Sequence, residues 1–93
     1  MTSKERAQLR GQANTMQPIL QIGKNGITGN SIKQIDDALE ARELIKITVL
    51  ETSGEDTREI AHEIASNVSA EVIQVIGSKF VLYRKSIKNK KGN

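Results

Sequence analysis

Along this chain the spacing of apolar residues alternates between a helical period and an extended one, and each switch marks an element. Leu9, Ala13 and Met16 recur at helical spacing, so residues 3–15 are predicted as a helix that Pro18 stops. Residues 18–22 read as a short strand with proline at its first position, where a missing donor is tolerated. Ser31 and Gln34 make a capping-box pattern for a second helix running to about Arg42. Its buried stripe is Ile32, Ile35 and Leu39, with Ala38 at the edge. Residues 44–50, rich in β-branched side chains, form the next strand. Ser53-Gly54-Glu55 is read as a turn, and Asp56 with Glu59 as the start of a third helix that buries Ile60, Ala61, Ile64, Ala65 and Val68. Residues 72–76 and 79–84 are two further strands, and Gly77-Ser78 between them fits a type II′ hairpin.

The order α-β-α-β-α-β-β predicts one compact α/β domain on a four-stranded mixed sheet. Strands separated by helices normally run parallel, and the hairpin-linked last pair must be antiparallel. Residues 72–76 and 80–83 are apolar on both strand faces, so helices are expected on both sides of the sheet. The domain is drawn over residues 1–85, with 86–93 as a basic tail expected to be disordered.

Composition narrows the class. With 37% apolar and 27% charged residues in 93 positions, the chain has the balance of a globular domain. It has no cysteine, which excludes disulfides and thiolate zinc sites and fits a reducing cytosol. The opening residues are polar and no apolar run approaches membrane-spanning length, so neither a signal peptide nor a membrane helix is expected, and the protein is placed in the cytoplasm. Charge changes the picture more. Residues 1–33 carry +4, residues 34–75 carry −7 and residues 76–93 carry +6, within a net +3. Basic ends around an acidic middle point to one surface for a polyanion and another that repels it.

The candidate chemistry centres on Gly23-Lys24-Asn25-Gly26, between the first strand and the second helix. Glycine allows a turn with positive φ and lets another molecule approach without a Cβ in the way. A helix starting just beyond presents unpaired N–H groups to an anion, and Lys24 adds a charge suited to phosphate. The loop is built like a clamp for a nucleic-acid backbone, although the same spacing also serves an ordinary strand-to-helix turn. In the clamp reading, the Gly26, Ile27 and Thr28 amides approach the backbone and Asn25 bonds ribose or a base edge. Lys33 lies close behind, Arg6 and Arg10 project together from the first helix, and Arg84 with Lys85 closes the last strand. Lys88, Lys90 and Lys91 supply diffuse attraction.

Asp36, Asp37, Glu40 and Glu43 read as a solvated helix face rather than a metal site. Glu55, Asp56 and Glu59 suit the positive end of a helix. The one histidine, His62, falls opposite Ile60 and Ile64, and no nucleophile–base pattern accompanies it, so neither catalysis nor a cofactor is expected. Phe80 and Tyr83 are the only aromatics, with Phe80 expected in the core. That is too few for a base-stacking platform, so the chain is expected to grip backbone and shape.

From about Ser3 to Arg84 the chain resembles bacterial YhbY-like proteins, stand-alone CRM domains (chloroplast RNA splicing and ribosome maturation). The resemblance rests on Leu9-Arg10-Gly11, on Pro18 followed by Leu20-Gln21-Ile22-Gly23-Lys24-Asn25-Gly26-Ile27-Thr28, on Glu43-Leu44-Ile45-Lys46, and on Val75-Ile76-Gly77 leading to Leu82-Tyr83-Arg84. Ile27 stands where leucine is more frequent and Asn14 where histidine is. The resemblance implies a fold similar to the C-terminal domain of bacterial translation initiation factor three. It also implies RNA binding by a KH-like GxxG loop, and association with precursors of the large ribosomal subunit. The expected partners are therefore RNA, above all precursor large-subunit ribosomal RNA, and pre-ribosomal particles, with no membrane and no small-molecule substrate. The alternative is a protein-interaction module docking on ribosomal or assembly proteins through a sheet edge or the acidic helices.

Overall fold

Helix α1 (Ser3–Ala13) leads into strand β1 (Leu20–Ile22), then α2 (Gly29–Arg42), β2 (Leu44–Val49), α3 (Thr57–Val68), β3 (Glu71–Ile76) and β4 (Lys79–Tyr83). The structure is a computed structural model that describes residues 1–23, 26–50 and 56–86. The sheet order is β1-β2-β4-β3. Strand β1 runs parallel to β2 with Ile22 opposite Val49, and β4 runs antiparallel to both β2 and β3. The closing hairpin therefore folds β4 into the middle of the sheet and leaves β3 as an edge, pointing the same way as β1 and β2.

Alternation along the strands fills two cores. Ile22, Ile45, Ile47, Phe80 and Leu82 face α2 and α3, meeting Ile35, Leu39, Ile60 and Ile64. Leu44, Val81 and Ile73 face the other way, onto Ala13 of α1, with Leu9, Met16 and Tyr83 at the margin. Helices thus cover both faces, as the two-sided apolar strands predict. The buried stripe of α3 is the expected Ile60, Ala61, Ile64, Ala65 and Val68. Gly77 has φ +57 while Ser78 stays out of the positive region, the pattern a type II′ link needs.

The end of α1 and the starts of α2 and β1 differ from expectation by two or three residues, and one end each of β2, β3 and β4 by one. Helix α1 ends at Ala13 rather than at 15, well before Pro18. Lys46 reaches from the middle of β2 and donates through Nζ to the Ala13 and Met16 carbonyls at 3.0 and 3.3 Å, closing the helix end. Helix α2 opens at Thr28, not Ser31: the Thr28 hydroxyl accepts the Ser31 N–H at 3.0 Å, so Ser31 is already inside the first turn. The first strand is regular only over Leu20–Ile22, although the Ile19 N–H still donates to the Lys46 carbonyl at 2.9 Å. The start of α1 carries a full capping box between Thr2 and Glu5. Strand β2 stops at Val49, leaving Leu50 38% exposed. The expected Ser53-Gly54-Glu55 turn lies outside the described residues.

Candidate nucleic-acid interface

Strand β1 delivers the chain to the C-terminal end of the parallel pair, where Leu50 N–H donates to the Ile22 carbonyl at 2.9 Å. There Gly26 N–H donates to the Gly23 carbonyl at 2.9 Å, closing a reverse turn whose two central positions, Lys24 and Asn25, lie outside the described residues. The two glycines answer different needs. Gly26 is buried with φ +67, a conformation that side chains disfavour. Gly23 has no positive φ, and a Cβ built on it meets nothing within 4 Å. Among the described residues nothing requires glycine at position 23, as at Gly11 and Gly29, and at the turn the open space there leaves room for another molecule.

The side chains after the turn hold it in place. Ile27 packs against the main core, and the Thr28 hydroxyl caps α2 while also bonding the Ser31 hydroxyl at 3.0 Å. What these two can offer a partner is their backbone amides, beside the Gly29 and Asn30 N–H groups that open α2. Lys33, one turn further on, is 76% exposed, and its 3.6 Å pairing with Asp37 is the loose surface kind that an incoming anion can displace. The β3–β4 hairpin brings in a residue that the sequence reading missed. Val49 N–H donates to the Ser78 carbonyl at 2.7 Å and Thr48 pairs with Lys79, so exposed Lys79 stands at the same end of the sheet as the glycine turn. Its signal was available: a last strand antiparallel to the others returns its start, not its end, to this edge.

Arg84, Arg6 and Lys85, candidate cations in the sequence, lie at the opposite end of the sheet. Arg84 follows Tyr83, which pairs with Leu44 at the start of β2. Its guanidinium is 14% exposed, forms ion pairs with Asp36 and Glu40, and donates to the Val68 carbonyl at 2.9 Å and the Asp36 carbonyl at 3.1 Å. One side chain thereby ties α2, the end of α3 and the end of β4 together, an internal role in place of the expected phosphate contact. Asp36 and Glu40 accordingly serve as partners of Arg84 rather than as a merely solvated helix face. Glu43, held at φ +68, accepts the Arg84 N–H on its carbonyl at 2.9 Å and the Ser86 N–H on its carboxylate at 2.7 Å. Ser86 is 1% exposed and its hydroxyl bonds Glu40 at 2.7 Å, so the ordered domain extends at least one residue beyond the drawn boundary. The rest of the tail, with Lys88, Lys90 and Lys91, lies outside the described residues.

Arg6 is also engaged: it donates to the Val72 carbonyl at 2.7 Å and pairs with Glu71 at 3.1 Å, occupying the exposed edge of β3. Arg10, half-buried in the last turn of α1, faces the negative end of that helix. Exposed Lys85 borders a groove with Met1, Glu5, Gln8, Leu9, Gln12 and Tyr83, again far from the glycine turn. Glu5 there is held below the ordinary carboxylate range, first by the Thr2 backbone N–H and more weakly by Lys85. Among the described residues no three His, Asp or Glu side chains converge to hold a metal, and no helix is long and apolar enough to cross a membrane.

The CRS1 / YhbY (CRM) domain profile matches residues 1–84. The "Probable RNA-binding protein YqeI" of Bacillus subtilis is 43% identical over 90 residues, covering 97% of this chain and 94% of that one. An "RNA-binding protein" of Haemophilus influenzae is 34% identical over 86 residues, covering 92% and 87%. The solution structure of a candidate RNA-binding protein from Staphylococcus aureus superposes with a TM-score of 0.80 at 48% identity, covering 98% of this chain and 95% of that one.

Proposed function

The chain belongs to the CRS1/YhbY (CRM) domain family, and we propose that it is a non-enzymatic RNA-binding protein that holds a sugar–phosphate backbone at the glycine turn. The observation that carries the reading is Gly23, a glycine with ordinary φ and open space around it. A residue without a side chain at the lip of the turn admits a backbone to the amides beyond. Lys24 and Asn25 are the turn's own side-chain contacts, Lys33 and Lys79 add charge on either side, and the Ile27 and Thr28 amides face the same approach. Asp36 and Glu40 are held by Arg84 at the other end and do not oppose the anion.

The RNA is precursor large-subunit ribosomal RNA, and the protein acts on pre-ribosomal particles in the cytoplasm during large-subunit assembly. A structured ribosomal RNA suits a chain with two aromatics, one of them Phe80 in the core. With about three phosphates neutralised by Lys24, Lys33 and Lys79, the logarithm of the affinity falls with the logarithm of salt at a slope of about −2 to −3. A flat salt response contradicts the backbone clamp. Crosslinking in cells followed by sequencing of the attached RNA tests the target: precursor large-subunit RNA is expected, and enrichment of unrelated transcripts overturns it. A complex with pre-ribosomal particles that persists after nuclease digestion points instead to docking on protein.

A further inference from the structure

Helix α1 covers only part of its sheet face. It lies over Leu44, Val81 and Ile73, and its C-terminal end is fixed where Lys46 bonds the Ala13 and Met16 carbonyls. One step nearer the glycine turn, the register sets Gln21 opposite Thr48, Thr48 opposite Lys79 and Lys79 opposite Ile76, a straight row across all four strands. Their neighbours in sequence, Ile22, Ile47, Val49, Phe80 and Val75, face α2 and α3, so alternation puts the whole row on the α1 face. Among the described residues no helix covers it: Gln21 and Lys79 are exposed, Thr48 is half-buried, and Ile76 is 53% exposed at the end of its strand.

We propose that this uncovered row is a second RNA-contact surface, continuous with the glycine turn, that receives a single-stranded segment and contacts its bases. The inference rests on the RNA-binding reading above and deepens it. Three interstrand spacings make the row about 14 Å long, a track for a few nucleotides. A side-chain amide and a hydroxyl at Gln21 and Thr48 both donate and accept, as a base edge does. Lys79 supplies the phosphate partner, and Ile76 gives apolar surface for the flat face of a base. No described carboxylate lies in the row: the described acids sit on α2 and α3 or at their caps, at the start of β3 and in the first turn of α1. A lysine at the centre also makes it a poor core for a protein interface, where lysine is depleted.

The test is a titration of fluorescently labelled single-stranded RNA of about ten nucleotides, against a blunt duplex of the same length. The proteins are wild type, a Gln21→Ala, Thr48→Ala variant, and Lys79→Gln alone as the mildest change at an exposed site. The Gln21→Ala, Thr48→Ala variant is expected to bind the single strand about tenfold more weakly and the duplex unchanged, while Lys79→Gln weakens both and makes the salt slope shallower by about one. Equal loss on single strand and duplex in the Gln21→Ala, Thr48→Ala variant, or no loss in it, overturns the row. A Lys24→Asp, Asn25→Asp double variant separates the two claims. If it alone loses binding, the clamp stands and the row falls; if wild type binds neither RNA, both fall.

Discussion

Arg84 and Lys33 are both cations at the margins of one small sheet, and they are used in opposite ways. Arg84, 14% exposed, is held by two carboxylates and two carbonyls from two other stretches of chain, whereas Lys33, 76% exposed, pairs loosely with Asp37 at 3.6 Å. The same contrast separates the two ends of the molecule. At the Arg84 end, charge is neutralised internally and a residue at positive φ, Glu43, is pinned by two N–H groups. At the glycine-turn end, the described cations have no strong partner and Gly23 has open space where a side chain would stand. Positive charge in a sequence does not reveal its purpose; the acid opposite it does.

The contrast is open to direct attack. The largest effect is expected from Lys24→Asp with Asn25→Asp, which weakens RNA binding about a hundredfold or more while the thermal melt stays where it is. A variant that binds normally removes the turn from the interface. Arg84→Met is expected to do the reverse. Stranding Glu40 and Asp36 costs about 3 kcal/mol and lowers the melting temperature by roughly 15 °C, with the folded protein's RNA affinity intact. An RNA-affinity loss in this variant under conditions where it is fully folded returns Arg84 to the binding surface.

A finer test lies inside the turn itself. Gly26→Ala forces a side chain into φ +67 and is expected to cost about 1 kcal/mol in a denaturant melt. Gly23→Ala is expected to leave stability unchanged and to weaken RNA binding several-fold, because its Cβ meets only incoming ligand. The smallest effect concerns Glu5. Its carboxyl sits below the ordinary range in the folded chain, so its capping contribution is complete above that range and is lost as pH falls through the lowered value. Amide-exchange protection in the first turn of α1 should fall on acidification in wild type and be pH-independent in Glu5→Gln.

Much of the architecture was legible because it follows from period. The stripes of α2 and α3, the two-sided strands and the Gly77-Ser78 link are set by neighbours within a turn or two of chain. What was not legible depends on distant residues. Ser31 and Thr28 are both hydroxyl residues ahead of the same stripe, and local pattern does not choose the cap between them. Lys46 ends α1 from a strand 33 residues away, and Arg84 finds Asp36 at a separation of 48. Lys79 and Arg84 begin and follow one strand, so their roles exchange with its direction. An antiparallel β4 beside a parallel pair sends Arg84 away from the glycine turn and brings Lys79 to it.

The central claim is that RNA meets the glycine-turn end and not the Arg84 end. An amide-resolved NMR titration of the whole chain with single-stranded RNA reads both at once. The account predicts that signals of residues 23–28, Lys33, Thr48 and Lys79 move in proportion to RNA added while those of Glu40, Glu43, Arg84 and Ser86 stay still. Movement centred on the Arg84 end, with the glycine turn silent, would contradict it.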